Sequence, residues 1–544
     1  MAENRKKSRI SEIEKEYDII VIGGGITGAN VFWDATLRGF KCLLVEKSDY
    51  ASGTSQATSK LIHGGLRYLK NLEFGLVRES LRERRILAKI SPHGVRPLGF
   101  IIPIHSFIER IILWAGMFLY NLLAFDRNKE IISDTLIPRY IWNSKEETIY
   151  KSSPLNREGL IGSFQYYDYM NINPEHHTSE FIFSAKARGG QAYNYVQVSS
   201  ISKQNSGGYL VGLQDKESKE NKLVSGKVVI NSAGPWADYV EALAGIAPEK
   251  KLLRSKGIHA VVRNICSKEC IILQKKDGSH LFVIPWRNKT IIGTTDTVYD
   301  ESPENFQVKE SEILDLLSEV NSSFGLAELK LNDVDYYYGG LRPLVEDLDS
   351  KKDTYSASRK SEVIHYSKEG YEGFFSALGG KYTTSRSVAE SLIDQVSIFL
   401  KGHKIPCATR TTPLLGGDYA SMKELVKILY SKFPKQKGLK LETLANRYGM
   451  EAIKVLSYKG QEEYVLANGE PFFEEEIEYA VKHEDIIHAS DFYFRRSGSG
   501  TVGKLNEVDR KKMDSKISKL LGWSLAQSKL ESSQVDKKYI WSKG

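Results

Sequence analysis

Three glycines and one acid carry the first chemistry legible in this chain. Gly23-Gly24-Gly25-Ile26-Thr27-Gly28 follows the compact apolar run Tyr17 to Ile22 and opens a stretch of helical spacing to Arg38; a second apolar run, Lys41 to Val45, ends at Glu46. This is G-x-G-x-x-G between a strand and a helix, the context in which it binds a dinucleotide. Gly23 makes the tight turn, Gly25 lets the backbone approach a pyrophosphate, and Gly28 allows helix and strand to pack closely, with phosphate charge at the helix N-terminus. A carboxylate at Glu46 suits ribose hydroxyls and repels a 2′-phosphate, so the pattern predicts FAD or NAD without choosing between them. The other reactive side chains are less organised. Cys266 and Cys270 are the one close pair among four cysteines and lack CxxC spacing, and no nearby ligands complete a site around the adjacent His176 and His177. The expectation is no bound metal.

The elements that must position these residues begin with a βαβ unit over the fingerprint. Leu76 to Ile90 again has helical periodicity, while Val228 to Ile230, Leu281 to Ile284 and Thr290 to Ile292 read as strands among turn signals. The middle of the chain is therefore α+β rather than purely doubly wound, with a sheet as the floor of a substrate site. Pro406, Pro413, Gly416 and Gly417 mark a linker, and Met422 to Asp514 is rich in helix formers, predicting a helical C-terminal domain.

A chain of 544 residues predicts two or three structural units. A hydrophobic fraction of 41% with 26% charged residues excludes a disordered chain. The net charge of +8 favours acidic small molecules or anionic surfaces. Basic residues are dispersed and not interleaved with aromatics, which argues against nucleic acid. The few cysteines indicate a reducing compartment, and the charged N-terminus lacks the apolar run of a secretory signal, so the expected location is cytoplasmic. Ile111 to Phe125 is the most apolar stretch but falls short of the roughly 20 residues that span a bilayer. It is expected as a buried helix, the other reading being a surface helix dipping into one leaflet.

Several longer motifs then narrow the choice of cofactor. Thr54-Ser55-Gln56-Ala57-Thr58-Ser59-Lys60-Leu61-Ile62-His63-Gly64-Gly65-Leu66-Arg67-Tyr68-Leu69 closely resembles the flavin-contacting segment of the FAD-dependent, quinone-linked sn-glycerol-3-phosphate dehydrogenases. The resemblance continues, in the family's order, through Asn231 to Trp236, Lys256 to His259, Phe282 to Trp286, Ile292 to Asp296, Gly340 to Leu344 and Gly379 to Thr384, then into Arg447-Tyr448-Gly449 and Asp491 to Arg496. It implies α/β plus α+β architecture of the glycine/D-amino acid oxidase type. A tail, 1–16, would precede a Rossmann-like FAD-binding domain, 17–408, interleaved with a substrate domain (roughly 98–185 and 258–350), and a helical domain would follow over 409–544.

By that resemblance Thr54, Ser55 and Lys60 line the pyrophosphate and flavin path, the Val196 backbone faces adenine, Gly234 belongs to the cofactor site, and Gly380, Thr383 and Thr384 close over the flavin end. The implied substrate is a small phosphorylated polyol, sn-glycerol 3-phosphate, held by Arg67, Arg342, Arg359 and Lys381, with Tyr68 and Thr295 orienting it; guanidinium forks suit phosphate oxygens. Oxidising its secondary alcohol needs a hydride acceptor and a base for the hydroxyl proton. His259 is the preferred base, His63 the other candidate, and Arg342 stabilises the developing alkoxide. One departure stands out: many relatives carry Asp-Ala-Arg after the Tyr-Asp pair, whereas here Tyr167-Asp168 leads to Asn173-Pro174-Glu175-His176-His177. If that arginine supports the active site in the relatives, either His176 or His177 compensates for it or the substrate differs from glycerol 3-phosphate.

The family implies electron transfer to a membrane quinone by a protein attached peripherally to the inner face of the cytoplasmic membrane. Arg510, Lys511, Lys512, Lys516 and Lys519 beside Met513, Ile517, Leu520, Leu521 and Trp523 form a basic amphipathic pattern that suits an anionic surface, or an ordinary packed helix. A homodimer is compatible with this reading. The alternatives are an oxygen-reducing oxidase of the same family and, in another class, a non-catalytic sensor or scaffold that binds FAD and a phosphometabolite.

Overall fold

The computed structural model describes residues 9–152, 155–247, 251–266, 268–275, 279–324, 328–346 and 361–541. Strand Glu16–Ile22 is buried from Ile19 onward, as a central parallel strand covered on both faces must be. It pairs in parallel with Cys42–Val45 and with Asn221–Asn231, which in turn pairs in parallel with Phe374–Gly379. Helix Ile26–Leu37 is apolar nearly all round because it lies between helices Pro174–Lys186 and Ser385–Lys401. The other face of the sheet is covered by the antiparallel meander Val196–Lys203, Tyr209–Asp215 and the start of Asn221–Asn231. The expected tail joins this unit earlier than its charged sequence suggests. From Arg9 the chain is packed, with Ile10 and Ile13 buried and the Arg9 guanidinium donating to Asn194 Oδ1 at 2.9 Å.

The second sheet is mixed. Its long strand Lys251–Arg263 pairs antiparallel with Val334–Glu346 on one side and Lys289–Gly293 on the other. It continues through His280–Trp286, Cys270–Gln274, Val95–Ile104 and Gly162–Asn171 to Leu61–Ile62, so the flavin-segment motif feeds directly into this sheet. Helix Glu310–Ser323 packs on one face, its Ile313, Leu316, Leu317 and Val320 buried.

Of the two helices with a membrane reading, the apolar one departs from expectation and the basic one takes its ordinary packed reading. Helix Phe107–Leu123 covers the apolar stretch expected to be buried, yet only Met117 and Tyr120 are buried along it, while Phe107, Ile108, Ile112 and Trp114 are each more than half exposed. The sequence is apolar over more of the helix circumference than the domain covers. Helix Glu507–Leu521, with the basic pattern, buries Met513, Ile517 and Leu521 in the domain core, and Lys512 and Lys516 pair with Glu462 at 2.6 Å and Glu474 at 2.7 Å. It is a packed helix. Among the described residues no helix is long and apolar enough to cross a membrane.

The C-terminal helices surround their own core of Leu425, Leu429, Leu441, Leu444 and Val455. They are tied to the first sheet by buried charge: Asp49, just after Cys42–Val45, accepts from Arg496 Nη2 at 2.7 Å and from Arg495 Nε at 2.5 Å.

Candidate active site

The strand-to-helix turn at Gly23 has the geometry that the fingerprint requires. Gly23 has φ +110°, and a Cβ there would stand 2.6 Å from the Ser232 carbonyl oxygen. A Cβ on Gly28 would stand 1.9 Å from the Gly23 carbonyl oxygen, so helix and strand approach as closely as glycine alone permits. Glu46 holds the turn closed, accepting from Gly24 N at 2.7 Å and Ser48 N at 2.9 Å. Burial raises its carboxyl above the usual glutamate value against those two donors. Ser55 Oγ accepts from Ile26 N at 2.9 Å and so caps the start of the helix.

A cavity of about 1070 Å³ runs from this turn, lined by Gly23, Gly25, Glu46, Val196, Gly234 and Trp236. It reaches Thr54 and Gly380, which also line a second cavity of about 1260 Å³ on the other side. An elongated dinucleotide laid from the fingerprint along the first cavity would reach the second chamber with its far end. The glycine cradle, the backbone donors of the helix start and this connected shape fit FAD, whose isoalloxazine would accept a hydride at the junction.

The second chamber gathers His63, Tyr68, His259, Arg342, Lys381 and Thr383. Arg342 is held by Thr294 Oγ1 at 2.6 Å, Thr295 O at 3.0 Å and Ser255 Oγ at 3.2 Å. Lys381 Nζ lies 3.6 Å from the centre of the Tyr68 ring. His259 is fully clamped: its ring stacks on Tyr338 at 4.8 Å and 12°, a Cβ on Gly293 would strike it at 2.3 Å, and its Nε2 lies 3.0 Å from Ser59 Oγ. Burial, and then the charges of Arg342 and Lys60, hold it well below the usual histidine value, so it is neutral. His63 is half-buried on the chamber wall. The turn that carries it is fixed by Asp168, which accepts from Gly64 N at 3.2 Å and Tyr120 Oη at 3.1 Å and pairs with Arg84.

Other expected site residues lie elsewhere. Lys60, expected on the flavin path, lines neither cavity; it is buried in an ion pair with Glu175 at 2.8 Å, its ammonium 4.9 Å from the Trp286 ring. Thr295 turns its hydroxyl to Ile258 N at 3.1 Å, and the neighbouring Thr294 lines the chamber in its place. Thr384 is buried at the start of helix Ser385–Lys401. Arg359 lies outside the described residues, as does the side chain of Arg67. The departure at Asn173 to His177 is structural. Asn173 caps helix Pro174–Lys186, His176 bridges Glu180 at 3.2 Å and Glu484 at 2.7 Å, and His177 stacks on Phe181. None of Glu175, His176 or His177 lines the chamber, so neither histidine supplies a cation there. Ser59 and Thr294 were not singled out. Their partners stand far along the chain, and the one signal was their place inside motifs already rich in glycine.

Residues 18–386 match the FAD dependent oxidoreductase family, and residues 407–528 match the C-terminal domain of alpha-glycerophosphate oxidase. The chain is 37% identical to a glycerol-3-phosphate dehydrogenase of Synechocystis, over 80% of this chain and 76% of that one. It belongs to the FAD-dependent glycerol-3-phosphate dehydrogenase and oxidase family. An aerobic glycerol-3-phosphate dehydrogenase of Staphylococcus aureus is 31% identical over 89% of this chain and 87% of its own length. The solved glycerol-3-phosphate dehydrogenase of Bacillus halodurans, complexed with FAD, superposes with a TM-score of 0.77 at 25% identity, covering 99% of this chain and 97% of that one. This family member therefore takes FAD as its cofactor, and the cavity that begins at Gly23 is where it fits.

Proposed function

We propose that the protein oxidises sn-glycerol 3-phosphate to dihydroxyacetone phosphate, with hydride transfer to FAD, and passes the electrons to a membrane quinone. The observation that carries this reading is the junction of the two cavities, where Lys381 and the nearby Arg342 meet the end of the dinucleotide channel. Two cations suit a phosphate dianion, and their charge favours the alkoxide that forms as the hydride leaves. His63 is the proton acceptor. Both histidines line the chamber, and the buried ring of His259 lies where an imidazolium is disfavoured. His259 instead holds Ser59, and with it the floor beneath the flavin end.

The quinone assignment is supported by the mouth of the same chamber. Ile108, Ile112 and Leu113 of helix Phe107–Leu123 line it, next to the exposed Trp114 and Phe118. An apolar helix face at the mouth suits attachment to the inner face of the cytoplasmic membrane and entry of a lipid-soluble acceptor. A second reading, an oxidase that reduces oxygen, is favoured by the match of the helical domain to that of alpha-glycerophosphate oxidase. Anaerobic titration of the yellow protein with glycerol 3-phosphate tests both. Bleaching of the flavin band with rapid recovery on a soluble quinone supports the dehydrogenase, and fast recovery on oxygen with peroxide formation supports the oxidase. An unchanged flavin band removes the substrate assignment.

A further inference from the structure

The dinucleotide cavity has one wall that the glycine fingerprint does not supply. After helix Leu525–Asp536 the chain turns through Lys537–Tyr539 and runs on to Trp541, and Lys537, Lys538, Ile540 and Trp541 line the same cavity as Gly23, Gly25 and Glu46. This segment lies beyond residue 528, where the match to the alpha-glycerophosphate oxidase C-terminal domain ends.

It is held by three consecutive residues, Tyr539, Ile540 and Trp541. Tyr539 Oη donates to Gly500 O at 2.8 Å, and its ring lies 5.9 Å from both Tyr336 and Phe494. Tyr337 Oη donates to Ile540 O at 2.7 Å, and Trp541 stacks on the Tyr337 ring at 4.2 Å and 14°. Tyr336 and Tyr337 belong to strand Val334–Glu346, so the segment is fastened to the second sheet although it comes from the helical domain. It thus spans an opening between two units at the edge of the cofactor cavity.

Lys537, Lys538 and Arg495 are the cations on this wall, and Glu46, Asp49 and Glu304 line the same cavity. Arg495 lines the cavity with its guanidinium on Asp49 and Asp491, and Lys538 stands in its field. Across the opening Lys47 lies 4.2 Å over the Trp236 ring and pairs with Glu304 at 2.5 Å. With Arg495 and Lys47 each balanced by carboxylates, Lys537 and Lys538 are the charges of the segment that attract a pyrophosphate and slow its leaving.

We propose that Lys537–Trp541 is part of the FAD site: it closes the outer wall of the dinucleotide cavity and retards release of the cofactor, with Trp541 on Tyr337 as the fastening and Lys538 as the cation facing the ligand. The inference rests on FAD occupying the cavity that starts at Gly23. Four proteins test it: the full chain, a chain stopped after Asp536, Trp541→Ala and Lys538→Glu, each purified with its flavin. The rate of FAD release is followed by the rise of free-flavin fluorescence after dilution, with circular dichroism and the unfolding midpoint as controls of folding. The expected result is release about tenfold faster for the shortened chain and for Trp541→Ala, since loss of contacts at a rim acts on the off-rate. Lys538→Glu is expected to speed release at low salt and to match the full chain at high salt. Unchanged release from folded Trp541→Ala and Lys538→Glu overturns the proposal, and these two decide it if the shortened chain does not fold. A full chain that binds no flavin would instead overturn the FAD assignment itself.

Discussion

The imidazole of His259 is pressed between the Tyr338 ring and the Gly293 backbone, and its Nδ1 is buried with no hydrogen-bond partner. Protonating a ring so placed would put a third charge beside Arg342 and Lys60. His63→Gln is therefore expected to lower kcat by a factor of roughly 10² to 10⁴ and to remove one limb of the pH–rate profile. His259→Asn is expected to keep that limb and lose less activity. Steady-state rates over a pH series separate the two; loss of the limb in His259→Asn alone would return the base to that residue. A second histidine bears on stability rather than rate. Burial, with the charges of His93 and His176 added, pushes His177 down to about 4, against the pull of Glu180. Its folded value lies below the unfolded value, so the unfolded chain binds the extra proton and stability is lost as pH falls from 6.5 towards 4. That one group is expected to cost about 3 kcal/mol over the window. Urea unfolding of His177→Phe at several pH values should show a slope shallower by one proton, whatever the offset from repacking.

Helix Phe107–Leu123 presents much of its apolar surface outward, while helix Glu507–Leu521 buries its apolar face. Replacing Ile108, Ile112 and Phe118 by Ser is expected to abolish sedimentation with anionic vesicles and leave the unfolding midpoint nearly unchanged, because these side chains contribute little to the core. Replacing Lys512 and Lys516 by Glu should leave sedimentation intact. The reverse pattern would assign the membrane contact to the second helix. This pair also marks what the sequence could convey. The fingerprint, the strands at Val228, Leu281 and Thr290, and the helix over Leu76 to Ile90 were legible because local turn geometry and periodicity determine them. Which face of an apolar helix is covered depends on elements folded from distant chain, and no local pattern records it. The same distance hid the pairing of Lys60 with Glu175, 115 residues apart, and of Ser59 with His259, 200 apart. In both cases the motif could be identified, but the direction of each side chain could not.

At the scale of the molecule, the cofactor unit and the helical domain are joined through buried charge. Asp49 is held at about 2 because Arg496 and Arg495 outweigh the penalty of its burial, and His176 crosses to Glu484. Asp49→Asn leaves two guanidinium groups short of a counter-charge in the interior. It is expected to cost about 3–5 kcal/mol, the range for breaking a buried pair from one side, and calorimetry should show unfolding at lower temperature than in the parent chain or in two separate steps. An unchanged thermogram would mean that the helical domain is held by its apolar contacts alone. Asp49 also lines the cavity in which FAD fits, as does Arg495. Cofactor occupancy and domain attachment therefore share one carboxylate, and thermodynamic linkage makes their coupling reciprocal: whatever the docked domain adds to the affinity for FAD, bound FAD adds to the docking of the domain. A cell short of flavin would then hold a protein loosened at its waist, and the chain around Pro406 to Gly417 would be the first exposed to proteases.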